Sequence, residues 1–171
     1  MKLPRTLQLD PSDKFVFERA AEPGEWAVSG GFVFAPADPA TLSHKARVAL
    51  RSGFLGTQSL GWSTLVEVAE GDADHVARML ADRLLTHFGA PDAATALAAA
   101  REEVAFAASL CDRPVGTVIA VQRTSTEAGL EERFRTLTPR DDRTPPVFSL
   151  IETDEDPDHV DLTRLARNHA P

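Results

Sequence analysis

Residues 73–89 read ADHVARMLADRLLTHFG, and this stretch carries the clearest helical pattern in the chain. Its apolar residues recur four apart and would form one stripe along a helix. Gly89 and Pro91 are typical of a helix end, because glycine accepts a left-handed backbone and proline cannot continue the helix. We therefore predict a helix over 73–88. Its stripe consists of Val76, Leu80, Leu84 and Phe88, widened by Met79 and Leu85.

Two further helices are predicted, one on each side of this stretch. Residues 92–111 are rich in alanine, which has the highest helix propensity, and their apolar residues also repeat at helical spacing. Upstream, Asp38 and Pro39 are typical of a cap followed by a first-turn proline, and Gly53 ends the pattern, so we predict a helix over 39–52. The stripe of the alanine-rich segment is Leu97, Ala100, Val104, Ala107 and Cys111.

Short apolar and β-branched runs between turn formers predict the strands. Four of them lie near the start of the chain, at 6–9, 14–18, 25–28 and 32–34, and their short connections favour an antiparallel meander. Another strand is predicted over 60–69, and a hairpin would pair 115–123 with 130–137 around a turn at 127–129. The expected fold class is α+β, with one antiparallel sheet and about three helices packed on one face.

The domain organisation follows from a change in composition near residue 139. Residues 1–138 are expected to form the single α+β domain, and 139–171 an extended, proline-rich acidic tail with a short helix near 160–167. Phe15 and Phe17 would lie on one side of their strand and Val16 on the other, so both faces of the sheet would be apolar. Dimerisation through the sheet, or cover by the tail, would bury the second face.

Composition narrows the class of protein. The chain has 171 residues and a formal net charge of −8 at pH 7, which argues against a surface that binds nucleic-acid phosphates. The sequence shows neither a signal-peptide pattern nor an apolar run near the roughly 20 residues of a membrane span. Cys111 is the only cysteine, so an intrachain disulfide is excluded. We expect a soluble, cytoplasmic protein without a nucleic-acid or membrane partner.

Motifs of catalytic and metal-binding chemistry are all incomplete. The acidic run 154–161 resembles the start of a calcium loop, but His159 replaces the turn glycine and Leu165 the bidentate glutamate. Ser59 lies in TQSLG, which lacks the first glycine of a nucleophile elbow, so a structural turn is the favoured interpretation. The five histidines form no close pair, and no P-loop is present. We therefore predict no cofactor, no metal and no catalytic residue.

Five residues are the best candidates for a ligand or partner surface. Trp26, Phe54 and Trp62 are large aromatics, and a tryptophan often lies at a rim because its indole N–H needs a partner. Core packing is the alternative interpretation for them. Cys111 lies near Arg113, whose charge would favour a thiolate, whereas burial near a helix C-terminus would favour an inert core cysteine.

Four segments carry a resemblance to other proteins. They are LDPSDKFVFERAAEPGEWAV (9–28), RSGFLG (51–56), GWSTLV (61–66) and FAASLCD (106–112). Together they resemble an uncharacterised bacterial family of small proteins, a domain of unknown function with no named enzyme family, over about residues 1–140. The resemblance implies that the protein accompanies accessory proteins of iron–sulfur or molybdenum oxidoreductase systems and has a helper role.

Two function hypotheses follow. The first is a non-enzymatic accessory or interaction protein that acts as a homo-oligomer or on a protein client, as a helper of a bacterial metal-cofactor oxidoreductase system. The second is a small-molecule-binding protein or small enzyme, with a pocket between sheet and helices near Trp26, Phe54 and Trp62.

Overall fold

The computed structural model describes residues 1–139 and 150–151. The chain divides into two units, Met1–Leu137 and Thr138–Pro171. The helices are α1 (His44–Ser52), α2 (Ala73–His87) and α3 (Ala93–Leu110). The strands are β1 (Lys2–Leu7), β2 (Ala27–Val28), β3 (Phe54–Gly56), β4 (Trp62–Ser63), β5 (Leu65–Glu70), β6 (Val118–Thr126), β7 (Gly129–Pro139) and β8 (Leu150–Ile151). The predicted α+β class is confirmed.

The strands form antiparallel pairs in two sheets where one was predicted. In the first unit the larger sheet has the order β1-β5-β6-β7, and the smaller has the order β2-β3-β4. The predicted hairpin is confirmed, since β6 and β7 pair in register from Thr126↔Gly129 onward. In the second unit, the last two residues of β7 pair with β8.

Two of the predicted N-terminal strands are wrong, because local turns replace them. Pro11–Phe15 is a 3-10 helix whose first turn is closed by a capping box between Asp10 and Asp13. Gly31–Phe34 is a second 3-10 helix, which follows Gly30 at φ 78°. The expectation of two apolar faces at 14–18 fails with the strand, since Phe15 is 67% exposed while Phe17 is buried.

Other element bounds differ at their starts. The predicted helix 39–52 begins as the 3-10 turn Pro39–Thr41, capped by Asp38, and α1 itself starts later, capped by the Ser43 hydroxyl. The first strand lies at Lys2–Leu7 and not at 6–9. The predicted strand 60–69 is divided between β4 and β5, which belong to different sheets.

The core of the first unit forms where the helices meet the sheets. Helices α2 and α3 pack against each other, α3 also packs on β1 and β2, and α1 packs on β6. Small residues on the inner face of α3, including Ala96, Ala100 and Ala107, allow close approach to Leu80 and Leu84 of α2. The helix expected near 160–167 lies outside the described residues. No helix in the described part of the chain is long and apolar enough to cross a membrane.

Candidate functional site

A cleft of about 600 Å3 lies in the first unit, beside the β6–β7 hairpin. Its walls come from the 3-10 turns after β2, from α1 and α3, and from the tip of the hairpin. Most of the wall is apolar, with two carboxylates and several hydroxyl groups among the apolar side chains. The lining residues are Ser29, Gly31, Phe32, Phe34, Ala35, Ala37, Pro39, Leu42, Leu50, Glu103, Phe106, Ser125, Thr126, Gly129, Leu130 and Glu132.

The inner face of the hairpin changes from apolar to polar as it reaches the cleft. Ile119 and Val121 are buried in the core, and strand alternation places Arg123 next on the same face. Glu132 lies directly opposite Arg123 in the β6–β7 register. The hairpin therefore carries an ion pair at the point where the core ends and the cleft begins.

Arg123 is buried, at 3% exposure, and its guanidinium donates hydrogen bonds to several acceptors. Nε donates to Oε1 of Glu132 at 2.8 Å. Nη2 donates to the backbone carbonyl of Ser29 and, at 3.1 Å, to its hydroxyl. Nη1 donates to the carbonyls of Ala49, Leu50 and Gly53, the last at 2.7 Å.

The contacts of Nη1 place a positive charge at the C-terminal end of α1. Ala49 and Leu50 belong to the last turn of α1, where carbonyls run out of helical donors; the Ala49 carbonyl also accepts from the N–H of the capping residue Gly53. A cation at this end also interacts favourably with the helix dipole. Burial lowers the pKa of Arg123, and the hydrogen bond and charge of Glu132 oppose that shift. Arg123 joins α1, the hairpin and the end of β2.

Glu132 reaches the same cluster from the cleft side. Its Oε1 accepts from Arg123 and, at 2.6 Å, from the Ser29 hydroxyl. The carboxylate also fills the space that a β-carbon at Gly31 would occupy. A side chain at position 31 would therefore displace the Glu132 carboxylate from its contacts with Arg123 and Ser29.

Glu103 is the second carboxylate of the cleft. It projects from α3, and no hydrogen bond or ion pair joins it to another described residue. Its carboxyl oxygens are open to solvent, since no buried side-chain oxygen among the described residues lacks a partner. Burial raises the pKa of Glu103, the charges of Glu132 and Glu102 act in the same direction, and Arg123 opposes them. All hydrogen bonds of the Arg123 side chain thus go to Glu132, to Ser29 and to backbone carbonyls. Among the described residues, no cation is bonded to Glu103.

A second buried carboxylate network explains the turn around Ser59. Glu25 accepts hydrogen bonds from the backbone N–H groups of Glu22, Gln58 and Ser59, and from the Ser59 hydroxyl. The turn also holds Leu60 at φ 56°, a left-handed conformation that is uncommon for leucine. Ser59 is thus a structural turn residue: its hydroxyl donates to the same carboxylate that holds the backbone of the turn, and it accepts from the N–H of Gly61.

The structure places the two predicted tryptophans against the same hydrophobic cluster. Trp26 is partly buried, with the Arg5 guanidinium 5.5 Å from its ring centroid. Trp62 stacks on Phe34, with ring centroids 5.1 Å apart. Because Phe34 lines the cleft, Trp62 supports its wall from behind and does not itself line it.

The other three predicted residues lie elsewhere. Phe54 and Cys111 are buried in a second cluster, at 0% and 1% exposure. Burial raises the pKa of the Cys111 thiol to about 11, which fits the core interpretation. Arg113 is exposed, and its carbonyl accepts a hydrogen bond from Lys2. The five residues do not form one site, and none of them lines the cleft.

The sequence motifs described above do not include Arg123, Glu132 or Glu103. The first two could have been found, because a turn at 127–129 places Arg123 opposite Glu132, and opposite charges stabilise such cross-strand pairs. Glu103 gives no comparable signal, because its approach to the hairpin depends on how α3 packs. Within the described residues, no group of three or more potential ligands among His, Cys, Asp and Glu could hold a metal ion.

Comparison with known proteins gives a family without an assigned activity. Residues 1–150 match the sequence model of a family of unknown function, DUF6505. The chain belongs to the DUF6505 family. No curated protein and no solved structure matches it. The predicted resemblance to a family of unknown function is confirmed, and the cleft of this DUF6505 protein must be interpreted from its own residues.

Proposed function

We propose that this DUF6505 protein is a non-enzymatic binding protein whose cleft takes a small organic ligand. The observation that supports the proposal most directly is a 600 Å3 cleft with an apolar wall and a small polar end. Small-molecule sites commonly have a volume of about 300–1,000 Å3, with a mostly apolar lining and a few well-placed polar groups. The second hypothesis also predicts a pocket, but the pocket proposed here lies beside the β6–β7 hairpin, and neither Trp26 nor Phe54 lines it.

The chemistry of the lining favours binding over catalysis. The described cleft residues include three side-chain hydroxyls and two carboxylates but no histidine, cysteine or lysine. A hydroxyl nucleophile needs an adjacent base, and the carboxylate that accepts from the Ser29 hydroxyl, Glu132, is paired with Arg123, which weakens it as a base. The rigid Arg123 cluster would hold the polar end of the cleft in one geometry.

A fragment screen by NMR would test the cleft as a binding site. We expect a mixture of small aromatic fragments to shift the backbone amide signals of Phe32, Phe106 and Leu130. Ala35→Trp should abolish these shifts because the indole would fill the cleft, whereas Ala98→Trp, on the exposed face of α3, should leave them intact. If no fragment shifts these signals in the unmodified protein, the proposed function is wrong.

A second candidate function is that of an interaction protein, which the first hypothesis favours. Leu9, Phe15 and Val16 are exposed to 40%, 67% and 39%, and they lie within one short segment. Exposed apolar patches on a folded protein often mark contacts with other proteins. Self-association through this segment is the simplest form of that function. As part of this second candidate function, we propose that the protein is bacterial and cytoplasmic and that it has the helper role implied by the resemblance.

Sedimentation analysis would test this second candidate. We expect the unmodified protein to sediment as a dimer at micromolar concentration and Phe15→Ser to shift it to monomer. Val115→Ser removes another exposed apolar side chain, at 57% exposure, and should leave the mass unchanged. If the unmodified protein sediments as a monomer at all concentrations, the proposed self-association is wrong.

A further inference from the structure

The distribution of charge around the cleft is uneven. Arg123 supplies one positive charge, and its N–H groups point to Glu132, to Ser29 and to the end of α1. Glu132 and Glu103 supply two carboxylates, and both line the cleft whereas Arg123 does not. Ionisation of both carboxyls leaves this end of the cleft with one uncompensated negative charge.

The rest of the lining is suited to the apolar part of a ligand. Phe32, Phe34 and Phe106 contribute aromatic rings, and Leu130 contributes an aliphatic side chain. Phe106 is 42% exposed, so an accessible ring surface remains. Aromatic faces attract cations as well as apolar groups.

We propose that the cleft binds an organic cation, a protonated amine or guanidinium on an aromatic or aliphatic body, with its charge at Glu103 and its body against Phe106. This inference rests on the proposed function and specifies its ligand class. A charge-assisted hydrogen bond would give Glu103 the partner it lacks among the described residues. An anion would meet two carboxylates, and a bare divalent metal would find too few oxygen ligands within the described residues.

The pKa of Glu103 supports this assignment. Burial and the charge of Glu132 disfavour the ionised carboxyl in the absence of a ligand. A cation bound next to Glu103 would favour the ionised form. Binding of the cation and ionisation of Glu103 should therefore stabilise each other.

Three probe molecules with the same naphthyl skeleton would separate the effect of ligand charge on affinity from that of ligand shape. The probes are 1-naphthylmethylamine, 1-naphthylmethanol and 1-naphthoate, titrated against the full chain at pH 7 by NMR. We expect the amine to bind about ten-fold more tightly than the alcohol, and the carboxylate to bind most weakly. Glu103→Gln should weaken binding of the amine about ten-fold and leave the alcohol unchanged, because it removes the charge but keeps the side-chain shape.

Glu102→Gln is the matched control, since Glu102 is the exposed neighbour of Glu103 on α3 and acts on it only through its charge; it should change the affinity for the amine far less than Glu103→Gln does. If the alcohol or the carboxylate binds the cleft as tightly as the amine, the cationic class is wrong while the cleft remains a binding site. If Glu103→Gln leaves the affinity for the amine unchanged, the assigned role of Glu103 is wrong. If no probe shifts the cleft signals but the fragment mixture does, the proposed cationic ligand is wrong, while the cleft is still a binding site.

Discussion

Arg123 is the residue on which three separate segments of the chain depend. Its side chain is buried, and each of its nitrogen atoms donates to a protein acceptor. Removing one partner of a buried ion pair leaves the other charge without compensation, which usually costs about 3–5 kcal/mol. The Leu50 carbonyl at the end of α1 would lose the Arg123 donor as well, whereas the Ala49 carbonyl would keep the N–H of Gly53.

We predict that Arg123→Met lowers the free energy of unfolding by about 3 kcal/mol. Urea denaturation of the variant and of the unmodified protein would measure the difference. Arg133→Met is the matched control, because Arg133 lies on the same hairpin but is exposed, and its substitution should change stability by less than about 0.5 kcal/mol. Equal effects of the two substitutions would contradict the role assigned to Arg123.

Ionisation of Glu103 should lower the free energy of unfolding as the pH rises. Its pKa in the folded protein is raised above the ordinary value of 4.5 by burial, by Glu132 and by Glu102, although Arg123 opposes the shift. The folded state therefore binds the proton more tightly than the unfolded state, so this residue makes stability fall as pH rises through the folded-state pKa. We predict that Glu103→Gln stabilises the protein at pH 7 and has little effect at pH 3.5.

Urea denaturation of Glu103→Gln and the unmodified protein at the two pH values would measure this difference. Glu102→Gln provides the control, because Glu102 is exposed on the same helix and acts on Glu103 only through its charge, so its effect at pH 7 should be the smaller of the two. A stabilising effect of Glu103→Gln that is as large at pH 3.5 as at pH 7 would show that ionisation of Glu103 is not its cause.

At the scale of elements, the packing of α2 on α3 depends on small side chains. Ala96, Ala100 and Ala107 are buried on the inner face of α3, against Leu80 and its neighbours on α2. Inserting a larger side chain into a well-packed core forces the backbone apart or side chains off their rotamers, at a cost of about 1–3 kcal/mol.

We therefore predict that Ala100→Leu destabilises the protein by about 2 kcal/mol. Ala99→Leu adds the same atoms on the exposed face of α3 and should change stability by less than about 0.5 kcal/mol. Thermal denaturation followed by circular dichroism would compare the two variants. A larger loss for Ala99→Leu would mean that the faces of α3 have been assigned incorrectly.

The elements that the sequence predicts well are those in which local pattern and tertiary packing agree. The predicted helices 73–88 and 92–111 match α2 and α3 to within one residue at each end, because an apolar stripe both favours the helix and packs it. The strand predicted at 32–34 is wrong, because Gly30 at φ 78° starts a 3-10 turn that alternation does not reveal. For the cleft, strand register could have indicated Arg123 with Glu132, but only the packing of α3 brings Glu103 to them.

For the molecule as a whole, the reactivity of the Cys111 thiol measures global unfolding. It caps the C-terminus of α3, is 1% exposed and contacts the cluster that contains Phe54 and Ile119. With its pKa raised to about 11, almost none of the thiol is ionised at neutral pH, and a reagent cannot reach it in the folded state.

We predict that iodoacetamide at pH 7.5 labels Cys111 only through global unfolding, and that the labelling rate rises with urea in proportion to the unfolded fraction. Mass spectrometry would follow the reaction. A variant with Cys111→Ala and Ser109→Cys carries an exposed thiol on the same helix and should react within minutes without urea. Rapid labelling of the native Cys111 would show that α3 opens locally.

The acceptors of Arg123 also determine when this contact can form as the chain folds. The carbonyls of Ser29 and Gly53 lie 94 and 70 residues away along the chain, so the guanidinium cannot leave water at low cost until β2, α1 and the hairpin have met. We expect this cluster to form after the transition state. Arg123→Met should then accelerate unfolding several-fold while leaving the refolding rate nearly unchanged, as stopped-flow measurements over a range of urea concentrations would show. On this basis Arg123 governs chiefly how long the native state persists, and much less how quickly it is reached.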